Sequence, residues 1–117
     1  YDVRTPVNIT AVEGQIEGGC VMSLGYALTE DFVNPGGIPK FKLGTYGLFR
    51  ANRVPEIETH IVRGPGSIDI AYGARGIGEL ACVPIAPAVV HAYYKLDGKM
   101  RTSLPMEDTF YRKTKKK

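Results

Sequence analysis

The stretch YGARGIGEL, Tyr72 to Leu80, places Gly73, Gly76 and Gly78 ahead of a single carboxylate, Glu79, and the apolar run LACVPIAP follows directly. Glycine loses more conformational freedom on folding than any other residue, so such a cluster marks a positive-φ turn or a place where backbone must approach something closely. An acid at the edge of that loop is a candidate general base, and sequestration among Leu80, Ala81 and Val83 would raise its pKa toward neutrality. Without further context the same pattern is more commonly an acid at a helix N-terminus, where the macrodipole favours negative charge.

A second glycine cluster lies upstream. Gly14, Gly18, Gly19 and Gly25 all fall within EGQIEGGCVMSLGYALTE, although each glycine inside a helix costs about 1 kcal/mol relative to alanine. Gly25 is expected to serve tight helix packing. Gly14, Gly18 and Gly19 surround Gln15 and are expected to bring the helix start against a ligand. Backbone N–H groups there donate to anions, while the glutamine amide both donates and accepts. Dinucleotides and pterins call for that mixture of groups.

The elements that must carry these residues follow from periodicity. Thr10 and Glu13 form a capping-box pattern, and Val12, Ile16, Cys20, Leu24 and Leu28 recur every four residues, predicting a helix from Thr10 to about Phe32 that is stopped by the NPGG turn at 34–37. EIETHIVRG alternates Ile57, Thr59 and Ile61 against Glu58, His60 and Val62, the period of a half-buried strand. SIDIAY, Ser67 to Tyr72, is a second candidate strand, and KMRTSL a final one. Between them Ala86 to Lys95 reads as a helix, with prolines near its first turn and Asp97-Gly98 just past its end. The expected fold is therefore α+β: two helices packed on a small mixed β-sheet.

Composition narrows the function classes. A chain of 117 residues with 44% hydrophobic and 23% charged residues falls within the range of one globular domain with a modest core. The net charge of +3 does not indicate nucleic acid, because five of the fifteen Lys and Arg lie in the terminal RKTKKK and the remaining ten face twelve acids. Residues 112–117 read as a basic flexible tail. No run approaches the roughly 20 apolar residues that span a bilayer, so no membrane partner is expected. Cys20 and Cys82 are far apart with no zinc-ligand spacing, which suggests a reducing, cytoplasmic setting and no metal site built by the chain itself. His60, His91, Tyr93, Tyr94 and Met22 are expected to be structural or surface residues.

Taken together, AVEGQIEGGCVMSLGYALTEDF, then VPEIETHIV, then YGARGIGELACVPIAPAVVHAYY resemble the C-terminal part of the molybdopterin-binding subunit of the molybdenum hydroxylases, the xanthine dehydrogenase and aldehyde oxidase family. The likeness runs from about Asn8 to about Thr109. It implies that residues 1–111 form a partial lobe of a molybdenum-cofactor-binding domain. It also implies that Glu79 is the catalytic base and that Gln15 hydrogen-bonds the pterin. Gly73, Ala74, Arg75, Gly76 and Gly78 would lie against the cofactor, molybdopterin itself or its cytosine dinucleotide. Arg75 stands where relatives often carry Lys or Ser and keeps or adds a cation, and Leu80-Ala81 replace a frequent diproline. The implied reaction hydroxylates an electron-poor C–H carbon of a purine, another N-heterocycle or an aldehyde with oxygen derived from water. The implied partners are the rest of the large subunit and iron–sulfur (2Fe-2S) and flavin (FAD) modules, with the chain inactive alone and prone to self-association. The alternative is a non-catalytic phosphate- or nucleotide-binding domain in which Glu79 caps a helix. The shared-cofactor reading further requires Gln15 and Glu79 to lie on the same side of the domain.

Overall fold

In a computed structural model, residues 2–62 and 70–112 are described, and their regular structure is two α-helices joined by short 3-10 turns. Helix α1 spans Ile9–Leu28 and helix α2 spans Ile85–Asp97. The expectation of a β-sheet is overturned: among the described residues there is no strand, only isolated bridges joining Asp2 to Val62 and Arg4 to Ala74. In 56–62 the alternation is correct about facing, since Ile57, Thr59 and Ile61 are half-buried while Glu58, His60 and Val62 are exposed. A strand also needs a neighbour to complete its hydrogen-bond ladder, and here the pairing extends over one residue. Of the second candidate strand, 67–69 lie outside the described residues and Ile70 to Tyr72 form a 3-10 turn. KMRTSL is not a strand either, because Arg101 draws the chain into a knot: its guanidinium bonds the Asp97 carboxylate at 2.7 Å and the carbonyls of Glu107 and Asp108 at 3.1 and 3.0 Å.

The helix boundaries also shift. Asn8, not Thr10, caps α1 by accepting the Ala11 N–H at 3.0 Å, and the expected capping box falls inside the helix. The helix ends at Leu28, short of Phe32, where the N–H groups of Thr29 and Glu30 both turn back to the Gly25 carbonyl. The carboxyl of Glu30 occupies the space that a Cβ at Gly25 would fill, so the backbone closes there, before the NPGG turn is reached. Helix α2 begins one residue earlier and ends two residues later than expected, with Gly98 at φ 70° as its left-handed C-cap.

The buried face of α1 takes in the row beside the aliphatic stripe together with the stripe's last member, Leu28. Gly19, Ser23 and Ala27 are buried, as are Gly25 and Leu28, whereas Val12, Ile16, Cys20 and Leu24 are half-buried. Small residues allow α2 and the turn at Leu80–Cys82 to approach closely. The core gathers Ala27, Leu28, Ala86 and Met106, with Leu24, Phe49, Val89, Val90 and Tyr93 packed around it. A radius of gyration of 17.6 Å exceeds the about 13 Å expected of a compact chain of this length. Large apolar side chains such as Val7, Tyr72 and Leu96 stand in solvent. Of the basic stretch at 112–117, only Arg112 lies within the described residues, and its guanidinium pairs with Asp31 at 2.7 Å. Among the described residues no helix is long and apolar enough to cross a membrane.

Candidate functional site

The glycine loop is fastened to the N-terminal segment. Thr5 N–H donates to the Gly73 carbonyl at 3.2 Å, Arg75 N–H donates to the Val3 carbonyl at 3.3 Å, and Arg75 Nη1 pairs with Asp2 at 2.9 Å. The chain enters this contact through Ala71 and Tyr72, both at φ 54°, an uncommon left-handed geometry for residues with a Cβ. Gly73 follows at φ 78°, and a Cβ there would lie 3.1 Å from the Thr5 hydroxyl oxygen. Gly78 is also left-handed, at φ 45°, and has open space on its Cβ side, as does Gly76. Glycine is therefore favoured at 73 by space and conformation together, and at 78 by conformation.

The structure brings the two glycine blocks together. Gln15 Nε2 donates to the Gly78 carbonyl at 2.6 Å across 63 positions of sequence, which ties the start of α1 to the backbone just before Glu79, although Gln15 and Glu79 themselves line different depressions. Gln15, Ala74, Arg75, Gly76 and Gly78 line a single cleft of about 480 Å³ that also receives Asn8 from the start of α1. Gly73 lies just outside it, against Arg4 and Ile70. Among the described residues none accepts a hydrogen bond from the N–H of Gly76, Ile77 or Gly78. Residues 76–78, whose N–H groups have no acceptor among the described residues, thus line the cleft beside a primary amide, with nothing within 4 Å of a Cβ at Gly76 or Gly78. That donor set suits the polar edge of a pterin. Arg75 reaches the cleft as well, but its charge is already balanced by Asp2.

Glu79 faces a different depression. It lines a groove of about 660 Å³ with Met22, Tyr26, Val83, Pro87 and Leu104. It occupies the N-cap position of the 3-10 turn Leu80–Cys82 without a capping hydrogen bond from its side chain, and the residue preceding α2 is Pro84. The carboxylate is exposed and is not spent as a cap. Sequestration by Leu80, Ala81 and Val83 does not arise within the chain, since only Ala81 is buried. A second carboxyl on the same groove, Glu30, was not apparent from sequence; burial raises its pKa, and a hydrogen bond with Tyr46 offsets this in part. Its position depends on how α1 ends, which no local motif signals. Cys20 and Cys82 are both free thiols, and burial pushes Cys20 upward in pKa. No group of three or more His, Cys, Asp or Glu among the described residues is placed to hold a metal ion.

The turns of the loop hang on α1 at regular intervals. Gly19 meets Ala81, and the Ser23 hydroxyl accepts the N–H of Ala86 in the first turn of α2 at 3.1 Å. Ser23, which no sequence pattern singled out, thus does across the fold what a capping side chain does locally, because Pro84 has none to offer.

The start of α1 and the glycine loop thus meet at one cleft. Residues 1–55 match the model of the molybdopterin cofactor-binding domain. A probable xanthine dehydrogenase subunit of Bacillus subtilis is 34% identical over 80% of this chain, and the isoquinoline 1-oxidoreductase subunit beta of Brevundimonas diminuta is 30% identical over 90%. The crystal structure of quinoline 2-oxidoreductase from Pseudomonas putida 86 superposes with a TM-score of 0.78 at 28% identity, covering 89% of this chain and 14% of that one. The chain belongs to the molybdopterin-binding large subunits of the xanthine dehydrogenase-like molybdenum hydroxylases, and it spans 12% and 13% of the length of the two curated relatives.

Proposed function

We propose that this chain supplies the general base and part of the cofactor cradle of an enzyme that hydroxylates an electron-poor C–H carbon of an N-heterocycle, with oxygen taken from water. The observation that carries this reading is the Gln15–Gly78 hydrogen bond, which joins the cofactor-facing helix start to the loop that ends in an uncapped Glu79. The molybdenum cofactor, when bound, supplies the two-electron redox chemistry. Within the chain, Gln15 and the N–H groups of Gly76 to Gly78 hold its polar edge, and a Glu79 carboxylate oxygen accepts the proton of the attacking water. Overall R–H and water become R–OH, two protons and two electrons: Glu79 takes a proton from the water, and the hydrogen of the broken C–H bond leaves as a hydride equivalent whose two electrons the molybdenum cofactor would accept and pass to iron–sulfur and flavin partners, its proton going to solvent. Relatives named for isoquinoline, quinoline and nicotine support an N-heterocyclic substrate, with purines and aldehydes the neighbouring classes. The exposed apolar side chains are covered by the remainder of the large subunit, and residues 1–111 act as one segment of its cofactor domain.

Replacing Glu79 with Gln in the intact enzyme tests the proposal. Glutamine preserves size and shape but cannot take the proton, so the rate of enzyme reduction by substrate should fall by ~10²–10⁴-fold, while molybdenum content stays at the parental level. A near-parental rate would refute the base assignment.

A further inference from the structure

We propose that Gln15 is a positioning residue for Glu79, acting through the backbone of the loop that presents the acid; the inference rests on the base role proposed for Glu79. Gln15, Gly19, Ser23 and Ala27 are spaced by four and share one line along α1. Each holds a successive point of the chain: Gln15 the Gly78 carbonyl, Gly19 the Ala81 side chain, Ser23 the Ala86 N–H, and the Ala27 carbonyl the Met106 N–H at 2.8 Å. Glu79 lies between the first two of these rungs.

The rung before the acid is the one with no packing to support it. On the far side, Ala81 is buried against Gly19, close enough that a Cβ on Gly19 would meet it at 2.8 Å. On the near side, Gly76 and Gly78 have nothing within 4 Å of a Cβ, and Gly78 sits at φ 45°. Glycines in open space rotate freely unless a hydrogen bond stops them. Two hydrogen bonds stop them here: the Leu80 N–H returns to the Ile77 carbonyl at 3.1 Å, and the Gln15 amide at 2.6 Å, a side-chain donor, reaches from a rigid helix to the carbonyl directly preceding Glu79. Gln15 therefore couples the cofactor cleft, which it lines, to the placement of the base, and one amide serves both.

In the intact molybdenum enzyme, Gln15→Glu removes the donor at unchanged length, and Gln15→His restores an N–H the same number of bonds from Cβ. The expected result for Gln15→Glu is a loss of about 10²-fold in the rate of reduction by substrate per bound molybdenum, the scale of a 1 Å misplacement, beyond any fall in cofactor content and with KM at the parental level. The backbone amides of Leu80, Cys82 and Val83, which donate to the carbonyls of Ile77, Glu79 and Leu80 in the turns that bracket Glu79, should exchange with solvent faster, and Gln15→His should recover both rate and protection. A parental rate in Gln15→Glu overturns the proposal. Loss of pterin and molybdenum with unchanged exchange overturns it as well, assigning Gln15 to cofactor binding alone. Should Glu79→Gln keep the parental rate while Gln15→Glu still loosens these amides, the base reading is what fails, and the positioning role falls with it.

Discussion

Replacing Gly19 with alanine sets helix propensity against packing at one position. Alanine inside a helix gains about 1 kcal/mol over glycine. At Gly19 the new Cβ would stand 2.8 Å from Ala81 Cβ, 3.3 Å from Cys82 N and 3.4 Å from Ala81 C. Ordinary carbon contacts begin near 3.5 Å, so α1 and the turn must separate by about 0.7 Å. The clashing atoms are backbone and a methyl fixed to backbone, which no rotamer change can move aside. Overpacking of this kind costs about 1–3 kcal/mol, and with the propensity gain set against the upper part of that range the net loss is about 1–2 kcal/mol. Gly14 and Gly18 lie on the same helix with nothing within 4 Å of a Cβ, so alanine there should stabilise the chain by about 1 kcal/mol each. Thermal unfolding followed by circular dichroism resolves the contrast, since 1 kcal/mol shifts the midpoint by about 4 °C at this length. A Gly19→Ala variant that melts at or above the parent would refute the reasoning. In the intact enzyme the same measurements gain a second use: if Gly14 and Gly18 face the cofactor, their alanine variants should lose molybdopterin despite the stabler helix.

Two further outcomes follow from the scaffold. Ser23→Ala should leave the buried Ala86 N–H without its acceptor and lower stability by about 1–2 kcal/mol, read from denaturant unfolding, whereas Ser23→Thr, which keeps the hydroxyl, should recover part of the loss. Asp97, held down to about 2 by its hydrogen bonds and pairing with Arg101, has a folded-state pKa below the ordinary value of 3.8. The stability it contributes is therefore present above about pH 4 and lost as the pH falls toward 2. Asp97→Asn should melt below the parent at pH 6 and converge with it near pH 2; equal midpoints at pH 6 would show that the Arg101 knot contributes nothing.

Much of the candidate site was legible because it is written in local chemistry. The glycine spacing in YGARGIGEL announced a loop with left-handed positions, and Gly73 and Gly78 occupy them. The four-residue recurrence of apolar side chains announced α1, and prolines at the start with Asp97-Gly98 at the end announced α2, because helix interiors and ends depend on neighbours a few positions away. Where a feature required a distant partner, sequence was silent or misleading. The alternation at 56–62 describes which side chains face inward, but whether a ladder forms depends on a second segment meeting it in register. The aliphatic stripe of α1 likewise drew attention from the small residues beside it, because apolar side chains advertise burial while glycine and serine show it only once something packs on them.

Sequence by itself determined the family, the helices, and the residue types that meet at the site: a glutamine in a glycine-rich helix, a glycine loop, and one acid after it. Only the tertiary structure decided that Gln15 bonds the carbonyl before Glu79, that Ser23 caps a helix not its own, and that Gly78 and Glu79, adjacent in the chain, open on different depressions. The reason is physical: conformational preferences act over a few residues and can be read in order, whereas a hydrogen bond across 63 positions exists only after packing has fixed the distance between its partners.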